Sequence, residues 1–210
     1  ESRGLGDVYK RQGRDDFTIE KAKMMNEFGY SGFAVDMYGD GKVGSSPEEN
    51  MELMQAILDD REMLQRRINL AHQTAINKVG VDAKNSAAIG FCFGGLCVLD
   101  LARSGSEISG VVSFHGLFNA PENLKDYRIT SKILALHGND DPMVPHQDVN
   151  GLANELTKAN ADWQIHAYGN TSHAFTNPLA NSPEDGMAFN ENSNNRSFTA
   201  MRNFLEEIFS

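Results

Sequence analysis

Three short segments hold residue types that can do chemistry together. The first is Ala88-Ile89-Gly90-Phe91-Cys92-Phe93-Gly94-Gly95, a small apolar run that meets a cysteine among glycines and passes into a helix-forming stretch. A cysteine between strand and helix is placed like the nucleophile of a strained turn, and small residues two before and two after it leave the turn room. The helix start points N–H groups and partial positive charge at the thiol, which favours thiolate. The Phe93 backbone N–H would then donate to an oxyanion. The same segment also reads as a buried structural cysteine in a glycine-rich turn. Cys97 lies five residues on, inside the expected helix, with its Cα about 8–9 Å from that of Cys92. That exceeds the ~7 Å reach of a disulfide, so Cys97 reads as a small core residue. Neither cysteine has metal-ligand spacing.

The second segment runs Leu136-His137-Gly138-Asn139-Asp140-Asp141-Pro142-Met143-Val144-Pro145. It puts an acid at the carboxyl end of a strand, where the sites of parallel sheets collect. Asp141 fits the acid position and Asp140 stands one residue out of register; a solvated turn is the competing reading. The third, Tyr168-Gly169-Asn170-Thr171-Ser172-His173-Ala174-Phe175, sets a histidine in a loop after the last strand. Alone, such a histidine is more often inert. Together the three follow the order nucleophile, acid, histidine, each just after a strand, which is the order of α/β-hydrolases. His115 and His137 also end strands but precede glycines within turns and read as structural. His72, His146 and His166 fall on expected helix or strand surfaces. Trp163, Tyr168 and the methionines read as core or rim packing.

The elements that must position these residues alternate along the chain. Asp15 and Asp16 can cap a helix carrying Phe17, Met25 and Phe28 on one side, with Gly29 as its stop. Residues 30–38 form a short buried strand, 39–47 a loop, and 47–58 a helix. A longer helix with Leu64, Ile68, Ala71, Ala75 and Val79 at helical spacing follows. Strands are expected at 86–90, 108–115, 132–137 and 164–168, and helices at 95–104, 146–159 and 196–209. Interleaved strands and helices argue an α/β fold: a mostly parallel sheet with helices on both faces.

With 210 residues, 40% of them hydrophobic, the chain supports one domain with a sizeable core. Nineteen basic against 29 acidic residues give a net charge of -10, which disfavours a nucleic-acid partner or an anionic membrane surface. No apolar run approaches the ~18 residues of a membrane span. The run Ser2 to Gln12 resembles one reading frame of a transposon-derived sequencing adapter. Residues 1–12 are therefore expected to be foreign and 13–210 to be a single, N-terminally incomplete domain that opens on a helix and lacks its first strands. Without them, 16 basic and 27 acidic residues leave a charge of -11.

The segments GFCFGG, VVSFHG, LHGNDDPMVP, DWQIHAYG and HAFTNP resemble the dienelactone hydrolase family. AVDMYGDGK at residues 34–42 and NNRSFTAM at 194–201 extend the resemblance across essentially Gly13 to Ser210. It implies an α/β-hydrolase fold and a triad of Cys92, Asp141 and His173. It also implies no metal or organic cofactor and the hydrolysis of a small ester or lactone through a thioester-type acyl-enzyme. A cytoplasmic location is expected. In the family a glutamate near the thiol and a second oxyanion donor follow an earlier strand; here both would precede Gly13 and no residue is assigned to them. The arginine with which the dienelactone-specific members of the family partly bind substrate carboxylate, four residues after the histidine, is Asn177 in this chain. Arg61, Arg66 or Arg67 would have to supply such a charge, or the substrate lacks that carboxylate. Three readings compete: a truncated, catalytically impaired α/β-hydrolase fragment, an esterase with an unrelated substrate, and a thiol-dependent binding or redox module, for which Cys97 is a poorly placed resolving thiol.

Overall fold

Side-chain alternation along the strands sorts the interior into two layers. The computed structural model describes residues 5–9, 13–122 and 128–210. Six strands, β1 (Leu5–Tyr9), β2 (Ser31–Ala34), β3 (Ser86–Phe91), β4 (Gly110–Phe114), β5 (Lys132–Gly138) and β6 (Trp163–Tyr168), form one sheet in the order β2-β1-β3-β4-β5-β6. Every pairing in it is parallel. Ala87, Ile89, Phe91, Val112, Phe114, Leu134 and Leu136 face α1 (Asp16–Glu27) and α6 (Glu191–Ile208), meeting Met25, Met201, Phe204 and Leu205. Ala88, Val111, Ile133 and Ala135 face the other layer, built from α2 (Pro47–Leu58), α3 (Arg61–Val79), α4 (Phe93–Arg103) and α5 (His146–Lys158). Burial on both faces explains why these strands read as continuous apolar runs. Among the described residues no helix is long and apolar enough to cross a membrane.

Local signals set most boundaries. Asp15, Ser46, Asp60 and Asn190 accept backbone N–H groups at the starts of α1, α2, α3 and α6, and Gly80 ends α3 at φ 76°. Strand β2 is shorter than the expected 30–38. The Asp36 carboxylate takes the N–H groups of Tyr38, Gly39 and Gly41 and turns the chain out of the sheet. The α6 helix begins at Glu191 rather than 196 because Asn190 supplies the cap.

The front of the chain departs from expectation. The sequence reading opens on a helix, yet Leu5–Tyr9 forms a strand inside the sheet, with Leu5 opposite both Ser31 and Ser86. Ladder pairing uses backbone groups, so a run without a recognisable pattern can fill the gap between two strands. Residues 1–4 and 10–12 lie outside the described residues.

A charged network ties the helices that carry the site. Asp100 on α4 has a fully buried side chain held by Arg61 of α3 at 2.6 Å and by Arg103 at 3.1 Å. Arg103 also pairs with Glu155 of α5 at 2.8 Å and donates to the carbonyls of Phe118 and Asn119. Removing one member of such a buried set leaves uncompensated charge. Asp100→Ala should therefore lower stability by about 3–5 kcal/mol in urea unfolding; a loss under about 1 kcal/mol would show the network to be dispensable.

Candidate active site

The turn between β3 and α4 is strained at its first residue. Cys92 sits at φ 56°, ψ -121°, a left-handed conformation that L residues adopt only where surroundings enforce it. Its N–H donates to Phe114 O at 3.0 Å and its carbonyl accepts from Gly95 N at 2.9 Å. A Cβ at Gly90 would stand 2.0 Å from Gly94 O, so the residue two before the cysteine must be glycine. The α4 helix opens at Phe93, directly after the cysteine. Phe93 is fully buried, its ring stacked on that of Tyr38 at 6.3 Å and 8°. Cys92 itself is half-buried, and neither Cys92 nor Cys97 is in a disulfide.

The acid and the histidine converge on that turn. Asp141 follows β5 and is 3% exposed, while its neighbour Asp140 is exposed, which resolves the register between the two. The Asp140 N–H donates to Thr171 O at 2.9 Å, latching the acid turn to the histidine loop. A Cβ on Gly138 would lie 2.5 Å from Ser172 O, so this latch requires a glycine at the strand end. His173 is 1% exposed; its Nδ1 lies 2.7 Å from Asp141 Oδ2 and its Nε2 3.0 Å from Cys92 Sγ. Its backbone is held by Gly186 O at 2.9 Å and Ala188 N at 3.2 Å. Those residues belong to a small hairpin, β7 (Asn181–Ser182) and β8 (Met187–Ala188), which no strand-length signal in the sequence announces.

Electrostatics at His173 oppose one another. Burial pushes its pKa down, but the negative charge at Cys92 and the Asp141 hydrogen bond outweigh it and carry the value to about 10. The imidazolium therefore persists well above the ordinary histidine range. A protonated His173 beside Cys92 favours the thiolate form of the sulfur.

Other expectations sort unevenly. His72 is not a surface residue: it is 1% exposed, and its Nε2 lies 2.8 Å from Ser86 Oγ. Ser86 donates to Ala83 O, so its oxygen accepts from a neutral His72 carrying its proton on Nε2. His72 is buried because α3 carries it to Ser86 at the start of β3. His137 is buried as a structural residue would be, and its pKa is lowered by that burial. His115, expected to be structural, has its ring 5.1 Å from that of His173. None of the candidate arginines is at the thiol. Arg61 binds Asp100, Arg66 is exposed 3.8 Å from Glu62, and Arg67 donates to the carbonyls of Met37 and Tyr38. Asn177 Oδ1 accepts from Leu179 N, closing a turn. Among the described residues no group of three or more His, Cys, Asp or Glu side chains could hold a metal ion.

A parallel sheet with helices on both faces, carrying a strained residue at the β3–α4 turn, places the chain in the α/β-hydrolase class. More specifically, the model of the dienelactone hydrolase family matches residues 7–209, and the chain belongs to that family. The match begins inside β1. A solved structure titled m3DLH is 34% identical with a TM-score of 0.92, over 99% of this chain and 87% of that one. A dienelactone hydrolase-like promiscuous phosphotriesterase, P91, from metagenomic libraries is 33% identical with the same TM-score and the same two coverages. Among curated proteins, an uncharacterized protein of Caenorhabditis elegans is 34% identical over 132 residues, 61% of this chain and 84% of its own length. A putative carboxymethylenebutenolidase of Yersinia pestis is 28% identical over 158 residues, 70% of this chain but 58% of its own length.

The raised pKa yields a direct test. In NMR titration the His173 imidazole should stay protonated up to about pH 10 in the unaltered protein. In Cys92→Ala, which removes the largest source of the upward shift, it should titrate at lower pH. Identical titration in both would show that the sulfur carries no charge.

Proposed function

We propose that this protein hydrolyses a carboxylic ester or lactone with an activated leaving group, through a Cys92–His173–Asp141 triad and an acyl-enzyme. The observation that carries this reading is the continuous relay from Asp141 Oδ2 through the His173 ring to Cys92 Sγ, at 2.7 and 3.0 Å. In it Asp141 accepts from Nδ1–H and orients the ring, leaving Nε2 to exchange a proton with the sulfur.

The chemistry follows from those positions. The Cys92 thiolate attacks the ester carbonyl carbon, and the carbonyl oxygen becomes an oxyanion that accepts from Phe93 N–H at the start of α4. The oxyanion collapses, the carbon–oxygen ester bond breaks, and His173 Nε2–H gives its proton to the departing oxygen. Neutral His173 then takes a proton from water, whose oxygen attacks the thioester carbonyl. The thiolate leaves, the acid product departs, and the imidazolium–thiolate pair is restored. Thiolates attack well and also leave well. An alkoxide of high pKa would lose to sulfur at the first collapse, whereas an enolate or aryloxide competes. Enol lactones and activated esters therefore suit this site better than simple alkyl esters.

The substrate class accords with relatives named as carboxymethylenebutenolidases. The chain spans 58% of the Yersinia pestis protein and 44% of the human homolog, so the particular lactone is not carried over. Asn177, in place of the family's arginine, and the engagement of Arg61 and Arg67 elsewhere favour a substrate without a carboxylate at that end. The second oxyanion donor expected before Gly13 is unassigned, since residues 10–12 lie outside the described residues. With Phe93 alone donating, turnover would sit about 100–1000-fold below that of a two-donor site.

Cys92→Ala should abolish hydrolysis of a neutral aryl ester, with a loss of roughly 10⁴-fold or more in kcat. Burst-phase release of the aryl alcohol should vanish with it. Retention of activity by that variant would refute the assignment.

A further inference from the structure

We propose that His115 is a positioning residue for the reaction, bracing the histidine loop so that the His173 ring stays between Asp141 and Cys92; this rests on the triad reading above.

The dipeptide Phe114-His115 lies at the end of β4, the strand between those that lead to Cys92 and Asp141. Phe114 O accepts the Cys92 N–H at 3.0 Å, and His115 N–H donates to Leu136 O on β5 at 2.8 Å. Two adjacent backbone groups thus join the nucleophile turn to the strand that carries the acid. The His115 backbone is held at φ 37°, which a non-glycine residue adopts only under local constraint. That conformation accompanies the ring's placement against the third segment.

There the ring makes three contacts within four residues. It packs edge-on against His173 with centroids 5.1 Å apart and against Phe175 at 5.2 Å. Its Nε2 lies 2.9 Å from the Thr176 hydroxyl, which is itself buried. The residue between them, Ala174, is at φ 57°, so the loop carries backbone strain one residue from His173. Such strain persists only where neighbours over-determine it. His115 supplies contacts on both sides of Ala174, from a sheet position already tied to the other two triad segments. Neither ring nitrogen of His173 is used by His115, since these face Asp141 and Cys92. The role is therefore one of placement, not of proton transfer.

The test uses two readouts in the whole chain: steady-state hydrolysis of a neutral aryl ester, and alkylation of Cys92 by iodoacetamide at pH 6. At that pH an unpaired thiol is almost wholly protonated, so rapid alkylation reports a sulfur still paired with His173. His115→Ala should lower kcat roughly 10- to 100-fold with KM little changed, the scale on which a misplaced catalytic group costs rate. Its alkylation should slow in parallel. His115→Phe, which keeps the ring against His173 and Phe175 but loses the Nε2 contact to Thr176, should recover part of both and leave them several-fold below the unaltered protein. Should His115→Ala fail to fold, Thr176→Val cuts only the Nε2 contact and should still lower both rates several-fold.

Unchanged kcat and alkylation in His115→Ala, or in Thr176→Val where that variant stands in, would overturn the brace while leaving the triad intact. Slow alkylation of Cys92 in the unaltered protein, no faster than in the urea-unfolded chain, would overturn the triad reading and the brace with it.

Discussion

The His173 imidazole is the element on which the site depends, because it must make two bonds in opposite directions while buried. Desolvation alone would strip its proton, and a neutral ring would leave Cys92 an ordinary thiol. The charge on the sulfur and the Asp141 carboxylate reverse that balance and carry the pKa to about 10. The partners are worth that much only while the geometry holds, since the desolvation cost stays fixed as the contacts lengthen. Much of the surrounding structure reads as a means of keeping three chain segments in register.

That register is built from backbone more than from side chains. Cys92 N–H reaches Phe114 O, His115 N–H reaches Leu136 O, and Asp140 N–H reaches Thr171 O. Each of these bonds crosses from one strand end to its neighbour, so the site rests on the parallel sheet's own order. The glycines at 90 and 138 belong to the same logic: each marks a place where one backbone passes too close to another for any side chain. Behind the Cys92 turn, the Arg61–Asp100–Arg103–Glu155 network fixes α4 against α3 and α5. The helix whose first N–H is assigned to the oxyanion is thus held at both ends.

What could be read from the sequence, and what could not, divides along contact range. Cys92 stands out because its glycines and following helix are local, and Asp141 and His173 because each follows an apolar run by a few residues. The helices expected at 47–58 and 146–159 lie at 47–58 and 146–158. Asp141 already fits the acid position better than Asp140, and the structure adds the bond from Asp140 N–H to Thr171 O beside an exposed Asp140 side chain. The partnership of His115 with Thr176 spans 61 residues, and that of His72 with Ser86 depends on how α3 lies over β3. No short window of sequence encodes either. Strand β1 is the clearest difference: a pattern-poor run forms a strand because neighbours on both sides offer ladder partners.

The central claim is that the Cys92 sulfur bonds covalently to the substrate's acyl carbon. Acid quenching of the protein during turnover of a slowly deacylating aryl ester, followed by peptide mass spectrometry, tests it most directly. The account predicts an added acyl mass on the peptide containing Cys92, lost on treatment with neutral hydroxylamine. Acyl mass on another residue, or turnover with none trapped on the protein, would contradict it.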